Sequence, residues 1–363
     1  MKFRCERDIL AEAFATAARA AATRAGALPV LAGVRLDLQG DVLTVTATDI
    51  ELTIRTDIEV AGLQDGAAVI PAKLITEIVR NLPGGSVALS ASEDEVLVSS
   101  GRSEFTVRPL ALADYPHQNE PETTAVSLSS AEVGDAFRQV VRAASTDESR
   151  AVLTGVLISA EDTGMKMVAT DSYRLAVRDL PQSSMLESGQ KVLIPGRALS
   201  EVQRLLGGAE ELKVRLGTRE AVFESGRTRL TTRLIEGDYP NYRNLLPTAA
   251  PNVLVVGRDD LLDALRRAKI LARDTTPVRL KLAADELTLV AITQDIGNAV
   301  ERIDARYSGQ EMEIAFNSDF LFAGVDATDG EEISLSVTEP GKPAVVRGVD
   351  HDEYLYLLMP VRI

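Results

Sequence analysis

The stretch Leu43-Thr-Val-Thr-Ala-Thr-Asp49 is answered by Met165-Lys-Met-Val-Ala-Thr-Asp171, and again by Leu287-Thr-Leu-Val-Ala291 with Asp295 shortly after. Ala47, Ala169 and Ala291 are separated by 122 residues at each step. Other segments recur around them in the same order. Ile70-Pro-Ala-Lys-Leu74 returns as Ile194-Pro-Gly-Arg-Ala198, and weakly as Phe316-Asn-Ser-Asp-Phe320; Asp114-Tyr-Pro116 returns as Asp238-Tyr-Pro240. Lys73, Glu77 and Arg80 return 124 positions later as Arg197, Glu201 and Arg204. This period exceeds the roughly 20–50 residues of solenoid repeats and matches a whole domain of about 100–150 residues. The 363 residues therefore read as three similar domains, 1–122, 123–249 and 250–363.

Each unit opens with an amphipathic helix. The second has capping-box spacing at Ser129 and Glu132, ahead of Val133, Phe137, Val140, Val141 and Ala144. The first covers roughly 7–23 and the third roughly 260–272, each with an apolar stripe at helical spacing. Strands follow; in Leu43–Thr48 apolar residues alternate with threonine, the period of a half-buried strand. A helix introduced by proline comes next, 71–82 and 195–206, halted by glycine pairs at Gly84-Gly85 and Gly207-Gly208. More strands close the unit. The fold class is α+β, with antiparallel sheets and helices on one face, and linkers fall at 117–124 and 247–252.

The composition narrows the function. No run reaches the about 18 apolar residues of a membrane span, and the charged N-terminus lacks a signal-peptide core. The single cysteine, Cys5, suits a reducing, cytoplasmic setting and reads as a small buried side chain. The net charge of −15 weighs against a partner held by overall field, such as DNA, unless the basic residues are segregated. They are. Arg138 and Arg142, and Arg266, Lys269 and Arg273, share one face of their helices, with Arg19 and Arg24 at the end of the first. Lys73 with Arg80 and Arg197 with Arg204 do the same on the proline-started helices. Such residues also complement helix C-termini, and Glu77 and Glu201 also read as their pairing partners. The third unit departs from the pattern, with Asp319 and Asp326 at the matching positions, so its second helix is expected to offer little to a polyanion.

If the two helices of each unit line a pore, six helices packed at about 8–10 Å leave an opening of roughly 5–9 Å. That is narrower than even the ~12 Å major groove of B-DNA. Twelve helices leave roughly 21–28 Å. Three units cannot encircle a duplex, whereas six in a head-to-tail dimer can.

The chain resembles the bacterial DNA polymerase III beta sliding clamps, over its whole length. The resemblance is carried by Ala169-Thr-Asp-Ser-Tyr-Arg-Leu-Ala-Val177, by Asp238-Tyr-Pro-Asn-Tyr242 with Leu246-Pro247, and by the tail Leu357-Leu-Met-Pro-Val-Arg-Ile363. Gly341-Lys-Pro-Ala344 and the tail are similar to actinobacterial members. The resemblance implies a homodimeric ring that encircles double-stranded DNA irrespective of sequence, near the nucleoid. It implies no catalysis, cofactor or metal. The implied partners are the DNA polymerase III alpha subunit, the clamp loader delta subunit, and other polymerases and repair proteins carrying a peptide with Gln and Leu/Phe residues.

The peptide pocket implied here comprises Leu153, Thr170, Ser172, Tyr173, Arg174, Leu175, Pro240, Asn244, Leu245, Leu357, Met359, Pro360, Val361 and Arg362. Leu153, Leu175 and Leu357 also read as core, and the tail as an edge strand. Asn244 stands where some members have arginine, and the loop before Leu153 lacks the paired tyrosines some members place near DNA. The DNA-facing set is Arg24, Lys73, Arg142, Arg150, Arg197, Arg204, Arg266 and Arg273. The dimer seam matches Leu74, Ile78 and Arg102 against Ile270, Leu271, Glu301 and Asp304, an apolar pair flanked by opposite charges.

An enzyme is the rival class, but His117 and His351 are the only imidazoles and lie in polar, turn-like sequence. There is no Gly-x-Ser-x-Gly, no Walker loop and no zinc spacing. Asp49, Asp171 and Asp295 read as strand-end or turn residues, one per domain. A specialised clamp paralogue, for self-resistance or repair, and a monomeric adaptor that never meets DNA remain the other readings.

Overall fold

The computed structural model describes residues 1–363 apart from 24, 25, 27, 117–122, 248, 249, 273–275, 295 and 363. Arg24, Arg273, His117 and Asp295 lie outside the described residues, as does part of each expected linker.

One order of elements is run through three times. The first round is β1 (Lys2–Glu6), α1 (Arg7–Ala17), β2 (Gly33–Gln39), β3 (Val42–Thr48), β4 (Leu52–Glu59), β5 (Ala61–Gln64), β6 (Gly66–Pro71), α2 (Ala72–Asn81), β7 (Ser86–Ala91), β8 (Val96–Ser100) and β9 (Ser103–Val107). The second is β10 (Val126–Ser129), α3 (Ser130–Val140), β11 (Gly155–Glu161), β12 (Gly164–Thr170), β13 (Arg174–Pro181), β14 (Lys191–Pro195), α4 (Gly196–Leu205), β15 (Glu211–Leu216), β16 (Glu220–Ser225) and β17 (Thr228–Arg233). The third is β18 (Asn252–Gly257), α5 (Arg258–Ala268), β19 (Val278–Leu282), β20 (Glu286–Thr293), β21 (Gly297–Ser308), β22 (Met312–Phe316), α6 (Ser318–Ala327), β23 (Glu332–Val337), β24 (Ala344–Gly348) and β25 (His351–Leu358). Among the described residues only β5 lacks a counterpart in the other rounds.

The opening helices bury matching stripes. Leu10, Ala13, Phe14 and Ala17 on α1 correspond to Val133, Ala136, Phe137 and Val140 on α3, and to Leu261, Ala264, Leu265 and Ala268 on α5. Each α1-type helix ends earlier than its apolar pattern suggests. After α1 and α3 the chain tightens into single 3₁₀ turns at Ala18–Ala20 and Val141–Ala143, a common way to satisfy the last carbonyls of a helix. Pro71 sits just before α2 rather than inside it, with φ −52° preset for the entry.

Packing groups the chain differently from the repeat. One compact unit is Met1–Ala131 with Glu201–Leu234; the other is Glu132–Ser200 with Ile235–Ile363. In the first, the sheet β5-β1-β7-β8-β9 accompanies the sheet β10-β15-β16-β17-β4-β3-β2-β6. In the second, twelve strands run β14-β11-β12-β13-β25-β24-β23-β18-β21-β20-β19-β22. The same joint occurs once in each unit. β4 pairs antiparallel with β17, Thr53 opposite Thr231; β13 pairs antiparallel with β25, Leu175 opposite Leu357. The middle round is thus divided because its two halves each complete a sheet begun by a neighbour.

Candidate functional site

The turn between β12 and β13 is built by its own side chains. The Asp171 carboxylate accepts from the backbone N–H of Tyr173 (2.9 Å) and Arg174 (3.0 Å), and from Arg174 Nε (2.9 Å). The Thr170 hydroxyl donates to the Arg174 carbonyl (2.6 Å) and accepts from the Ser172 N–H (3.1 Å). These bonds hold Ser172 at φ +80°, a left-handed conformation that a non-glycine residue adopts only when its surroundings over-determine it. The β3–β4 turn is the same device: Asp49 accepts from the Leu52 N–H (2.8 Å), Thr48 donates to the Leu52 carbonyl (3.0 Å), and Ile50 has φ +83°. The turn reading of Asp49 and Asp171 holds at both.

From that turn the expected groove can be laid out. The Met359 N–H donates to the Tyr173 carbonyl (2.8 Å) and the Val361 N–H to the Ala315 carbonyl (2.8 Å), so the tail runs beside the turn. Leu175 and Leu357 join Val168, Val177, Tyr242, Val345 and Leu355 in one apolar cluster, with Leu157, Tyr239 and Leu246 packed on it. Tyr173, Leu245, Met359 and Val361 stand exposed around it, as do Ser172, Pro240, Asn244 and Arg362, while Arg174 and Pro360 are half-buried. Leu153 and Thr170 are buried; Thr170 is spent on the turn, so its hydroxyl serves the scaffold rather than a ligand. Beside the cluster Tyr242, Leu246, Val177 and Leu355 line a further hollow of about 370 Å³.

Several groove residues escape the sequence reading. Phe320 lies under the Arg174 guanidinium, 4.3 Å from ring centroid to cation, and 6.4 Å from the Tyr173 ring. The Tyr356 hydroxyl donates to the Phe320 carbonyl (2.9 Å). Burial pushes the Tyr356 phenol up to about 12, opposed by the nearby Arg174 cation. Val177 and Leu355 could have been found from spacing, since each lies two positions from a named residue on the same strand face.

Of the described basic residues expected to face DNA, Lys73 and Arg197 are exposed. Arg204 and Arg266 are largely exposed but pair with Glu201 and Asp263 at 2.5 Å. Arg142, half-buried, pairs with Asp326 (2.5 Å) on α6, and Arg150, exposed, donates to Asp147 (2.9 Å) and to Ser172 (3.2 Å) of the groove turn. The acids of α6 are likewise internal partners, Asp326 with Arg142 and Asp319 with Lys269.

Models of the DNA polymerase III beta subunit match the chain end to end: its N-terminal domain at residues 1–119, its central domain at 127–241 and its C-terminal domain at 243–362. The chain belongs to the DNA polymerase III beta sliding-clamp family. It is 36% identical to the beta sliding clamp of Streptomyces coelicolor, with both chains covered in full. It is 31% identical to the beta sliding clamp homolog GriR of Streptomyces muensis, covering all of this chain and 99% of that one. Among solved structures, the C. crescentus beta sliding clamp aligns with a TM-score of 0.91 at 27% identity, over 100% of this chain and 99% of that one. A Bartonella birtlesii sliding clamp bound to griselimycin aligns with a TM-score of 0.90 at 28% identity, with both chains covered in full.

Three tandem clamp domains account for the repeating joints, and the joints differ in how their helices are held. Arg19, just past α1, reaches Glu201 on α4 at 3.8 Å. Arg142, the corresponding residue past α3, reaches Asp326 on α6, reinforced by Arg138 and Gln139 on Asp329 (3.2 and 2.8 Å). The corresponding residue past α5 is Ile270, 77% exposed. In the other unit Leu74 on α2 is 44% exposed, whereas Ile78, expected beside it at the seam, is buried at 8% under its own helix. Leu271 is half-buried and Arg102 and Asp304 are exposed. Glu301, expected to await a partner's cation, is held by Arg267 (2.9 and 2.8 Å).

Two strand edges equivalent to those joined at β4–β17 and β13–β25 stay open among the described residues. β9 terminates the five-stranded sheet. β21 pairs with β20 over 297–304 and turns to β18 only from Ala305. Its other edge over 297–304 has no strand among the described residues. Phe105 on β9 and Val300 on β21 are both more than 40% exposed.

Proposed function

We propose that two copies of this clamp close head to tail into a ring around duplex DNA, each joining β21 of one copy to β9 of the other. The observation that carries this reading is the pair of unmatched edges: β4 and β13 have each found a last strand, whereas β21 over 297–304 and β9 have none among the described residues. Exposed edges are templates for a further strand. Carrying the β4–β17 register across places Phe105 opposite Ala299, Thr106 opposite Asn298 and Ser103 opposite Glu301. Ile270 then stands where the internal joints use Arg19 and Arg142, and Leu74 on the facing helix is the apolar residue that meets it. Domain limits near residues 122 and 249 follow from the same repeat.

The ring tethers its partners without catalysis. The DNA polymerase III alpha subunit, the clamp loader delta subunit and other polymerases and repair proteins dock a Gln-Leu/Phe-type peptide on the Leu175–Leu357 groove, with Tyr173, Met359, Leu245 and Pro240 at its rim. Lys73, Arg197, Arg204 and Arg266 face the DNA backbone without reading its sequence. A location at the nucleoid follows.

The test is a double variant, Phe105→Cys with Ala299→Cys. Directly opposed residues of an antiparallel pair have Cα atoms about 4.5–5.5 Å apart, within the roughly 4.4–6.8 Å of a disulfide. Mild oxidation is expected to give a covalent dimer, and Cys5 is buried and stays out of the reaction. A chain that remains monomeric before and after oxidation contradicts the ring.

A further inference from the structure

The joint that carries the apolar groove has a counterpart one round earlier, on the same scaffold. The threonine–aspartate turn is repeated, and the tail contact Met359 N–H to Tyr173 carbonyl (2.8 Å) is matched by Arg233 N–H to Glu51 carbonyl (2.9 Å). Tyr115-Pro116 stands where Tyr239-Pro240 stands. A hollow of about 550 Å³ lies there, lined among others by Arg35, Thr46, Thr53, Arg55, Arg229 and Thr231.

Those six residues occupy the positions of Leu157, Val168, Leu175, Val177, Leu355 and Leu357, by the strand registers and the repeat spacing. Six aliphatic side chains of the groove floor are thus threonines or arginines in the counterpart, while Val345 of the cluster keeps its valine there as Val222. The arginines are answered within the sheet: Arg35 makes two 2.8 Å bonds to Asp37, Arg55 reaches Asp57 at 3.4 Å and Arg229 reaches Glu224 at 2.7 Å. Each of the three cations is thus already paired with a carboxylate, Glu224 serving Arg215 as well. An apolar segment laid over them would strip water from three ion pairs and gain apolar contact only at the margin, from Val42, Tyr115 and Pro116.

We propose that these six residues are specificity determinants: they close the first joint to the apolar partner peptide and so hold the clamp to one peptide per chain. The proposal rests on the Leu175–Leu357 groove being the partner site. Its test is calorimetric titration of the dimer with the peptide Gln-Leu-Ser-Leu-Phe. One variant carries Arg35→Leu, Thr46→Val, Thr53→Leu, Arg55→Val, Arg229→Leu and Thr231→Leu, its folding checked by melting and gel filtration. Should it fail to fold, Arg55→Val with Arg229→Leu, both part-exposed side chains, takes its place.

The unaltered chain is expected to bind one peptide and the variant two; removing residues 359–363 is expected to take one from each. A folded variant that still binds one, or an unaltered chain that already binds two, overturns the proposal. An unaltered chain that binds none overturns the groove reading instead.

Discussion

Asp171 shows how much of the site rests on single side chains. The residue is 8% exposed, and its carboxylate accepts three hydrogen bonds that fix the backbone from which Tyr173 and Arg174 project. Replacing it with alanine leaves two backbone donors and a guanidinium without their acceptor. Asp171→Ala is expected to lower stability by about 3 kcal/mol and to weaken peptide binding, read by denaturant melts and titration. Asp171→Asn, which keeps an acceptor for the backbone N–H groups, is expected to lose less. Buried phenols predict the pH response. Tyr354 and Tyr356 are held protonated by burial, whereas an unfolded tyrosine ionises near ~10. The unfolded chain therefore binds fewer protons at high pH, and the Tyr356 contribution is whole below about pH 10 and lost as pH rises through about 12, with Tyr354 shifted in the same direction. The phenolate absorbance contributed by Tyr354 and Tyr356, read as the difference from a Tyr354→Phe, Tyr356→Phe chain, is expected to appear together with unfolding rather than before it.

At the scale of elements, what was legible in the sequence was what recurs. The helix stripes, the threonine-alternating strands and the paired Asp49 and Asp171 turns are local patterns repeated at matching spacing, and they fold as the spacing implies. What was not legible depends on partners far along the chain. Nothing near Arg142 announces Asp326, some 184 residues on, and nothing near Arg150 announces the Ser172 turn, so both read as free cations. Ile78 and Leu74 are equally apolar, and only the packed helix separates the buried one from the exposed one. Phe320 escaped because its role comes from the Arg174 guanidinium above it. The open edges carry a prediction of their own. Placing a carboxylate in an apolar seam leaves it desolvated and unpaired, so Ile270→Asp is expected to raise the dimer dissociation constant at least tenfold while leaving the chain folded. Sedimentation and melting separate the two effects; an unchanged dimer would remove Ile270 from the seam.

At the scale of the whole molecule the repeat and the charge become one problem. A chain with a net charge of −15 cannot grip DNA by its field, yet it belongs to a family of clamps. Closure resolves this, because a ring needs no affinity to stay on a duplex that has no ends. Three domains are too few to surround one, so the second copy is part of the activity rather than an addition to it. The most direct measurement combines closure and topology. The Phe105→Cys, Ala299→Cys chain is assembled in the presence of nicked circular plasmid, oxidised, washed at high salt, and the plasmid is then cut at one site. The protein is expected to survive the wash on circular DNA and to leave once the circle is opened. Loss in the wash despite complete cross-linking, or retention that ignores the cut, would contradict the account.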